Sequence, residues 1–161
     1  MLIRDLGPGD LGAVLDMNNA AVPAVNAHDV RSLEVLVEMA DRSWVVDDGD
    51  ALGGLLVTFA PGTGYDSANY RWLSQRFDDF RYVDRVVVAA THKRRGLGRG
   101  LYEVLEAHAR VVGTSRLVCE VNVEPPNPQS IAFHTEIGWR PVDDLEHAPG
   151  KVVRYFEKPL T

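Results

Sequence analysis

The feature that most constrains the fold of this chain is an apolar strand followed directly by a basic, glycine-rich loop and an amphipathic helix. The strand candidate covers Arg81 to Ala89, and the helix begins near Gly96–Leu97. The apolar, mostly β-branched residues of this strand candidate, Tyr82, Val83 and Val86 to Val88, are typical of a buried central strand. The start of a helix offers free N–H groups and the positive end of the helix dipole, and glycines let a phosphate come close. The alternative is that Gly96 and Gly98 only permit tight packing and the basic side chains are solvated.

The rest of the chain also alternates between strand and helix patterns. The other predicted strands are Leu2 to Asp5, Ser43 to Val46, Leu52 to Phe59, Arg116 to Val121, Trp139 to Val142 and Val152 to Glu157. The predicted helices follow Pro8-Gly9-Asp10, cover about Ser32 to Asp41, run from Gly96–Leu97 to Gly113, and run from Asn127-Pro128 to about Ile137. No repeat or long linker interrupts this order, and 161 residues suit one domain. We therefore expect one α/β domain over residues 1–161, with hairpins at both ends.

Charge is distributed unevenly along this acidic chain, which has 17 basic and 23 acidic residues. Five of the basic residues, and no acidic one, lie between Arg85 and Tyr102. A general nucleic-acid binder is usually basic over a whole face, so no nucleic-acid partner is predicted. Apolar runs such as Gly53 to Ala60 fall short of the roughly 18–20 residues that cross a bilayer, so no membrane partner is predicted either.

Cysteine and histidine usage argues against a disulfide framework and against a metal site. Cys119 is the single cysteine, and the histidines show no ligand spacing, so we predict no metal. The N-terminus has no charged region leading into an apolar segment, which makes a cytoplasmic location the expectation.

Two motifs identify the loop more closely. The Walker pattern G-x-x-x-x-G-K-S/T is absent, and the dinucleotide pattern G-x-G-x-x-G fails because Leu101 stands where its last glycine should be. Lys93-Arg94-Arg95-Gly96-Leu97-Gly98 does match Q/R-x-x-G-x-G/A, the pyrophosphate loop of the GNAT acetyltransferase superfamily, with Lys93 in place of Gln or Arg. Asn127 to Trp139 resembles a later segment of that family, N-x-x-S/A-x-x-F-Y-x-x-x-G-F. The chain thus resembles a complete single-domain GNAT acetyltransferase.

The resemblance implies acetyl-CoA as co-substrate and a central mixed, mostly antiparallel sheet with helices around it. The strands at Val86 to Val88 and Arg116 to Val121 should splay so that the pantetheine arm lies between them. By alignment, the Val86 N–H would polarise the acetyl carbonyl and Val88 would pair with the pantetheine. The cofactor-binding residues implied in this way are Val86, Val87, Val88, Lys93, Arg94, Arg95, Gly96, Leu97, Gly98, Arg99, Asn127, Ser130 and Phe133. Asn127 has a second interpretation, as the cap of its helix.

Two carboxylates are candidates for the base that takes a proton from the acceptor amine. Cys119-Glu120-Val121-Asn122 resembles the L-E-V-R strand of ribosomal-protein N-terminal acetyltransferases, in which the Glu serves as base. Asp84 shares a face with Tyr82 and aligns with the base position of histone acetyltransferases. The alternatives are that Asp84 pairs with Arg85 or Arg81, that Glu120 only shapes the pocket, and that an ordered water replaces a single base.

His134 stands where the family usually has a tyrosine that protonates the leaving thiolate. An imidazole, with an ordinary pKa near 6.5, can donate that proton, so His134 is the candidate general acid. The alternative is a helix histidine bonded to the backbone or to CoA without a catalytic part.

The acceptor is expected to be a small-molecule amine or a peptide N-terminus, bound between Tyr65 to Trp72 and the Val22 to Asp29 loop. Many members of the family form dimers, so a homodimer is left open. Two other functions remain at this point: an acyl-CoA-binding sensor or regulatory module with little turnover, and a nucleotide or nucleic-acid binder using His92 to Arg95.

Overall fold

A seven-stranded mixed sheet forms the centre of the protein, in a computed structural model that describes residues 1–160. The strand order is β1-β2-β3-β4-β5-β7-β6, and every neighbouring pair is antiparallel except β4 and β5. The strands are β1 Leu2–Asp5, β2 Arg42–Asp47, β3 Leu52–Phe59, β4 Arg81–Val88, β5 Arg116–Glu124, β6 Arg140–Ala148 and β7 Lys151–Pro159. The predicted α/β class and the mostly antiparallel sheet are confirmed.

Helices cover both faces of the sheet. They are α1 Leu11–Ala20, α2 Val30–Met39, α3 Ala68–Arg76, α4 Leu97–Val111 and α5 Pro128–Glu136. One apolar cluster joins α1, α2 and α3 to the sheet, with Val14, Leu33 and Leu73 fully buried. The other joins α4 to the opposite face, because Leu97, Leu101 and Leu105 recur at helical spacing. Among residues 1–160, no helix is both long enough and apolar enough to span a membrane.

Two strands in the C-terminal part of the chain are longer than the sequence predicted. β5 continues to Glu124 rather than ending at Val121, and β6 runs from Arg140 to Ala148 rather than from Trp139 to Val142. Most of β6 is exposed and polar, so it lacks the alternation that marks a strand. Its pairing with β7 supplies the backbone hydrogen bonds that its local sequence does not predict.

A gap opens in the middle of the sheet between β4 and β5. The two strands pair only at Arg81 with Leu117 and at Tyr82 with Val118. Beyond these pairs, β4 continues against β3 and β5 continues against β7. The predicted splay is therefore confirmed.

The β3–β4 register determines which backbone groups face the gap. The Ala89 N–H donates to the Gly53 carbonyl at 2.9 Å. Hydrogen-bonded and non-hydrogen-bonded pairs alternate along antiparallel strands, so Val87 is bonded to Leu55, its register partner. The N–H and C=O groups of Val86 and Val88 consequently point away from β3, toward the gap.

A β-bulge interrupts β4 where this gap begins. Val57 lies opposite Arg85 and Thr58 lies opposite Val83, so Asp84 is the extra residue. Asp84 bonds to Tyr65 and Arg85 bonds to Asn18 of α1, which places both side chains on the α1 side of the sheet. Strict alternation would have put Arg85 on the opposite face.

Candidate active site

A cavity of about 1020 Å³ extends along the gap and is lined by residues of both splayed strands. Its volume is that of a typical small-molecule or cofactor site. The starts of α4 and α5 form one end, and the α1–α2 loop with the segment before α3 forms the other. We call these the phosphate end and the acceptor end. Of the residues predicted to bind CoA or to catalyse, every one except Arg95 lines this cavity.

The phosphate end is the basic glycine loop. Arg94 has φ 66° and Gly96 has φ 75°, so both adopt the left-handed conformation that turns the chain into α4. No side chain caps α4, which leaves its first N–H groups free for an anion. A Cβ on Gly98 would lie 3.4 Å from the Phe133 ring and 3.9 Å from Val88, so it would fill the space between the helix start and these two side chains. Free amides, nearby cations and a narrow approach fit the pyrophosphate of CoA.

The later motif forms the opposite wall of the phosphate end. The Asn127 side chain accepts the Ser130 N–H at 3.4 Å and so caps α5, as its second interpretation held. The cavity is also lined by Asn127, Ser130 and Phe133. Asn127 therefore caps the helix and lines the cavity at the same time.

His134 is buried and both of its ring nitrogens have partners. Nδ1 lies 2.7 Å from the Ser130 carbonyl, and Nε2 lies 2.7 Å from the Tyr102 hydroxyl. Because a carbonyl only accepts, Nδ1 carries the proton and the Tyr102 hydroxyl donates to Nε2. Burial lowers the pKa of His134 below its ordinary value, which the bond to Ser130 offsets only in part. His134 is therefore held neutral.

Sequence reasoning missed Tyr102. It follows Gly98 by four residues, so it lies on the same face of α4, and it lines the cavity while being only 2% exposed. Burial raises the pKa of Tyr102 well above 10. The four-residue spacing between Gly98 and Tyr102 was the sequence signal that could have identified Tyr102 as a cavity residue.

Asp84 has no free oxygen at the acceptor end. Its Oδ1 accepts the Tyr65 hydroxyl at 2.6 Å, and its Oδ2 accepts Arg85 Nε at 2.7 Å. The side chains of Asp84 and Arg85 are 5% and 3% exposed. The pairing with Arg85 that the sequence left as an alternative is present.

Glu120 differs from Asp84 because, among residues 1–160, its one side-chain partner is the Tyr82 hydroxyl, which donates to Oε1. Burial raises the pKa of Glu120 to about 8, and the negative charge of Asp84 adds to this effect. The Tyr82 bond and the Arg85 charge act in the opposite direction but are weaker. Glu120 is thus a carboxyl group that changes protonation near neutral pH, as a general base should.

Arg85 fixes the α1–α2 loop to the sheet. Its Nη1 donates to Asn18 Oδ1 and its Nη2 donates to Asn26 Oδ1, each at 2.8 Å. Ala20 at the end of α1 and residues 21 and 23–26 of this loop line the cavity, while His28 and Asp29 do not. Neither asparagine was predicted, because nothing in the local sequence links them to β4.

The segment Tyr65 to Trp72 divides between the cavity and the core. Tyr65, Asp66, Ser67 and Asn69 line the acceptor end. Trp72 instead stacks on Tyr155, with ring centroids 4.0 Å apart. No group of three or more potential metal ligands occurs in the part of the chain that the structure describes.

Comparison with known proteins agrees with this geometry. The sequence model of the acetyltransferase (GNAT) family matches residues 18–139. No curated protein sequence matches the chain.

Solved structures of other proteins share the fold. The ribosomal-protein-alanine N-acetyltransferase of Brucella melitensis has 21% identity over 99% of this chain and 100% of that one, with a TM-score of 0.78. The yncA protein of Salmonella typhimurium, solved with its cofactor acetyl-CoA, has 20% identity over 100% and 94%, with a TM-score of 0.75. Ard1 of Thermoplasma volcanium has 13% identity over 99% and 97%, with a TM-score of 0.80.

The family match covers most of the chain and spans both motifs, the splayed strands and the cavity between them. This chain therefore belongs to the GNAT acetyltransferase family and is an acyltransferase.

Proposed function

We propose that this enzyme transfers the acetyl group of acetyl-CoA to a primary amine by direct attack. The observation that carries the proposal is a single cavity that joins the uncapped start of α4 to the carboxyl group of Glu120 through the gap in the sheet. Acetyl-CoA supplies a thioester, whose carbon the amine nitrogen attacks while the carbon–sulfur bond breaks.

The donor half of the cavity is assigned to CoA. The free N–H groups at the start of α4 and the side chains of Lys93, Arg94 and Arg99 surround the pyrophosphate. The backbone groups of Val86 and Val88 face the gap and pair with the pantetheine arm and the acetyl carbonyl. Fixed N–H dipoles of this kind stabilise the charge that develops on the carbonyl oxygen.

Glu120 is the base in this mechanism. The nitrogen loses a proton as it attacks, and Glu120 accepts that proton directly or through one water. Asp84 is a weaker candidate because both of its oxygens already accept hydrogen bonds. We assign Asp84 to holding Tyr65 and Arg85 and to raising the pKa of Glu120 through its charge.

The proton for the leaving sulfur comes from Tyr102 rather than directly from His134. Neutral His134 directs its only N–H at the Ser130 carbonyl. The Tyr102 hydroxyl donates to His134 Nε2, but Tyr102 lines the cavity and its O–H reaches the sulfur by rotating about the C–O bond. Tyr102 stays protonated wherever Glu120 is ionised, because burial keeps its pKa high. The hydroxyl, which His134 orients before the reaction, gives its proton to the departing sulfur, and water then reprotonates the phenolate oxygen. Glu120 returns the amine proton to solvent, so the protons balance over one turnover.

Replacing Tyr102 by phenylalanine should lower kcat by about 10²-fold, a typical contribution of a general acid. The KM for acetyl-CoA should stay unchanged, because the ring remains in place. Tyr70→Phe is the matched control: it also removes a buried hydroxyl, bonded to the Ala60 carbonyl at 2.6 Å, but Tyr70 does not line this cavity. Steady-state thiol release measures both variants.

His134→Ala should also lower kcat while the rate still rises over the same pH range as in the wild type. Unchanged kcat across pH 6–9 would remove His134 from the mechanism. A wild-type rate that instead falls as the pH rises, at a pH below the ordinary histidine pKa because burial lowers the pKa of His134, would make the imidazolium the acid.

The acceptor end favours an amine without an adjacent carboxylate. In the described part of the chain, Arg85 is the one cation that lines this end, and it is already bonded to Asp84, Asn18 and Asn26. Glu120 and Asp84 suit an approaching ammonium group. A small-molecule amine or a peptide N-terminus meets these conditions, and similar structures include enzymes named for N-acetylation of ribosomal-protein alanine.

Thiol release from acetyl-CoA with a panel of amines tests the function. We expect turnover with amines and with peptides bearing a free N-terminus, and weaker turnover with free amino acids, whose carboxylate finds no cation. Tight CoA binding without release for any amine would overturn the proposal in favour of an acyl-CoA sensor.

A further inference from the structure

His92 comes directly before the basic glycine loop, yet its side chain is only 8% exposed. It ends the short 3-10 turn Ala90–His92 that leads out of β4. The imidazole packs on the backbone of β3 at Gly53, where an added Cβ would lie 2.6 Å from His92 Cδ2. The strand thus has a glycine at the position where the ring needs room.

Both nitrogens of His92 are engaged by side chains. Nε2 lies 2.5 Å from Asp48 Oδ2 in the β2–β3 turn, and Nδ1 lies 2.8 Å from Thr91 Oγ1. The other oxygen of Asp48 accepts the N–H groups of Asp50 and Ala51 at 2.8 and 2.7 Å. These bonds hold the Asp48 carboxylate in place, so it is a fixed anchor for the imidazole.

The loop beyond His92 lacks comparable anchors of its own. Within residues 1–160, the side chains of Lys93 and Arg94 form no hydrogen bond or ion pair with protein, and the segment from Lys93 to Gly96 is exposed. Gly96 then passes directly into α4. The conformation of the loop therefore depends on its two ends, the His92 anchor and the helix.

We infer that His92, held by Asp48, is a positioning residue that keeps the glycine loop in the conformation that binds the CoA pyrophosphate. The inference rests on the proposed role of this loop in CoA binding. A loop that is ordered before binding loses less conformational entropy when the ligand arrives. Removing the anchor should consequently weaken binding of the pyrophosphate and leave the acetyl-transfer step unchanged.

His92→Phe tests this inference, because it keeps a ring against Gly53 and removes both hydrogen bonds. Calorimetry should show Kd for CoA rising about tenfold. The KM for acetyl-CoA should rise in parallel, kcat should stay within about twofold, and the KM for acetylpantetheine, which has no pyrophosphate, should not change.

Gly53→Ala is a second variant that displaces the ring without changing His92 chemically, and it should raise Kd for CoA as well. His108→Phe is the matched control: it removes another histidine that contacts an aspartate, Asp41 at 3.4 Å, but lies outside the cavity. Thermal unfolding shows which variants are folded.

Equal Kd values for the His92 and His108 variants would overturn the inference alone. A parallel rise in KM for acetyl-CoA and acetylpantetheine would also overturn it, because the defect would then not lie at the pyrophosphate. Failure of the wild type to bind CoA would overturn both this inference and the proposed function. If CoA binds but no amine is acetylated, the Kd comparison still decides the inference.

Discussion

Replacing Glu120 by glutamine should lower kcat by about 10²- to 10⁴-fold, the range expected when a general base is removed. Glutamine has nearly the same shape and can still accept the Tyr82 hydroxyl bond, so the cavity should keep its form. Binding of CoA should therefore stay close to that of the wild type. Thiol release measures the loss of turnover, and calorimetry with CoA separates it from a binding defect.

The pH dependence of the reaction rate identifies which carboxyl group is the base. Since the pKa of Glu120 is about 8, the base form appears as pH rises, and the wild-type rate should increase through about pH 8. Asp84→Asn removes a negative charge that raises this pKa, so it should move the rise to lower pH and retain turnover. If Asp84→Asn instead costs as much as Glu120→Gln, the base has been assigned to the wrong carboxyl group.

The same pKa shift makes stability depend on pH. The ordinary pKa of 4.5 is raised to about 8 in the folded protein, so between these values the folded state binds a proton that the unfolded state has lost. The stability contributed by this group is present below about pH 4.5 and declines as pH rises through about 8. Glu120→Gln should therefore become more stable relative to the wild type as pH rises over this interval.

The donor half of the site was predictable from sequence because its residues are adjacent in the chain. The glycine loop, the strand before it and the later Asn127 to Trp139 motif each carry their signal locally, and their residues line one end of the cavity. The splay of β4 from β5 followed from the family resemblance rather than from any residue pattern.

The acceptor half was less predictable because it depends on contacts between distant segments. Arg85 reaches Asn18 and Asn26 across more than 50 positions of sequence, and the bulge at Asp84 changes the face on which Arg85 lies. The expected strand β6 was too short for the same reason, since its pairing with β7 and not its own pattern makes it a strand. Local periodicity carries no information about the long-range contacts of Arg85 or about the pairing of β6 with β7.

Replacing Arg85 by methionine should have the second large effect, a loss of about 3–5 kcal/mol in the free energy of unfolding, because it leaves the buried Asp84 carboxylate without its cation. The side chains of this pair are 3% and 5% exposed, so water does not readily substitute for the guanidinium. Urea denaturation measures the loss. Arg81→Met is the matched control: its pair with Asp41 is 16% and 23% exposed, and breaking it should cost about 1 kcal/mol or less.

A second substitution distinguishes two roles of Arg85, neutralising Asp84 and holding the α1–α2 loop. Adding Asp84→Asn to Arg85→Met removes the uncompensated charge and should restore much of the stability. The double variant should nevertheless keep a raised KM for the amine, with KM for acetyl-CoA unchanged, because Asn18 and Asn26 no longer hold the α1–α2 loop against the acceptor end. Recovery of the amine KM together with stability would show that the arginine serves only to neutralise Asp84, and that the loop needs no anchor on β4.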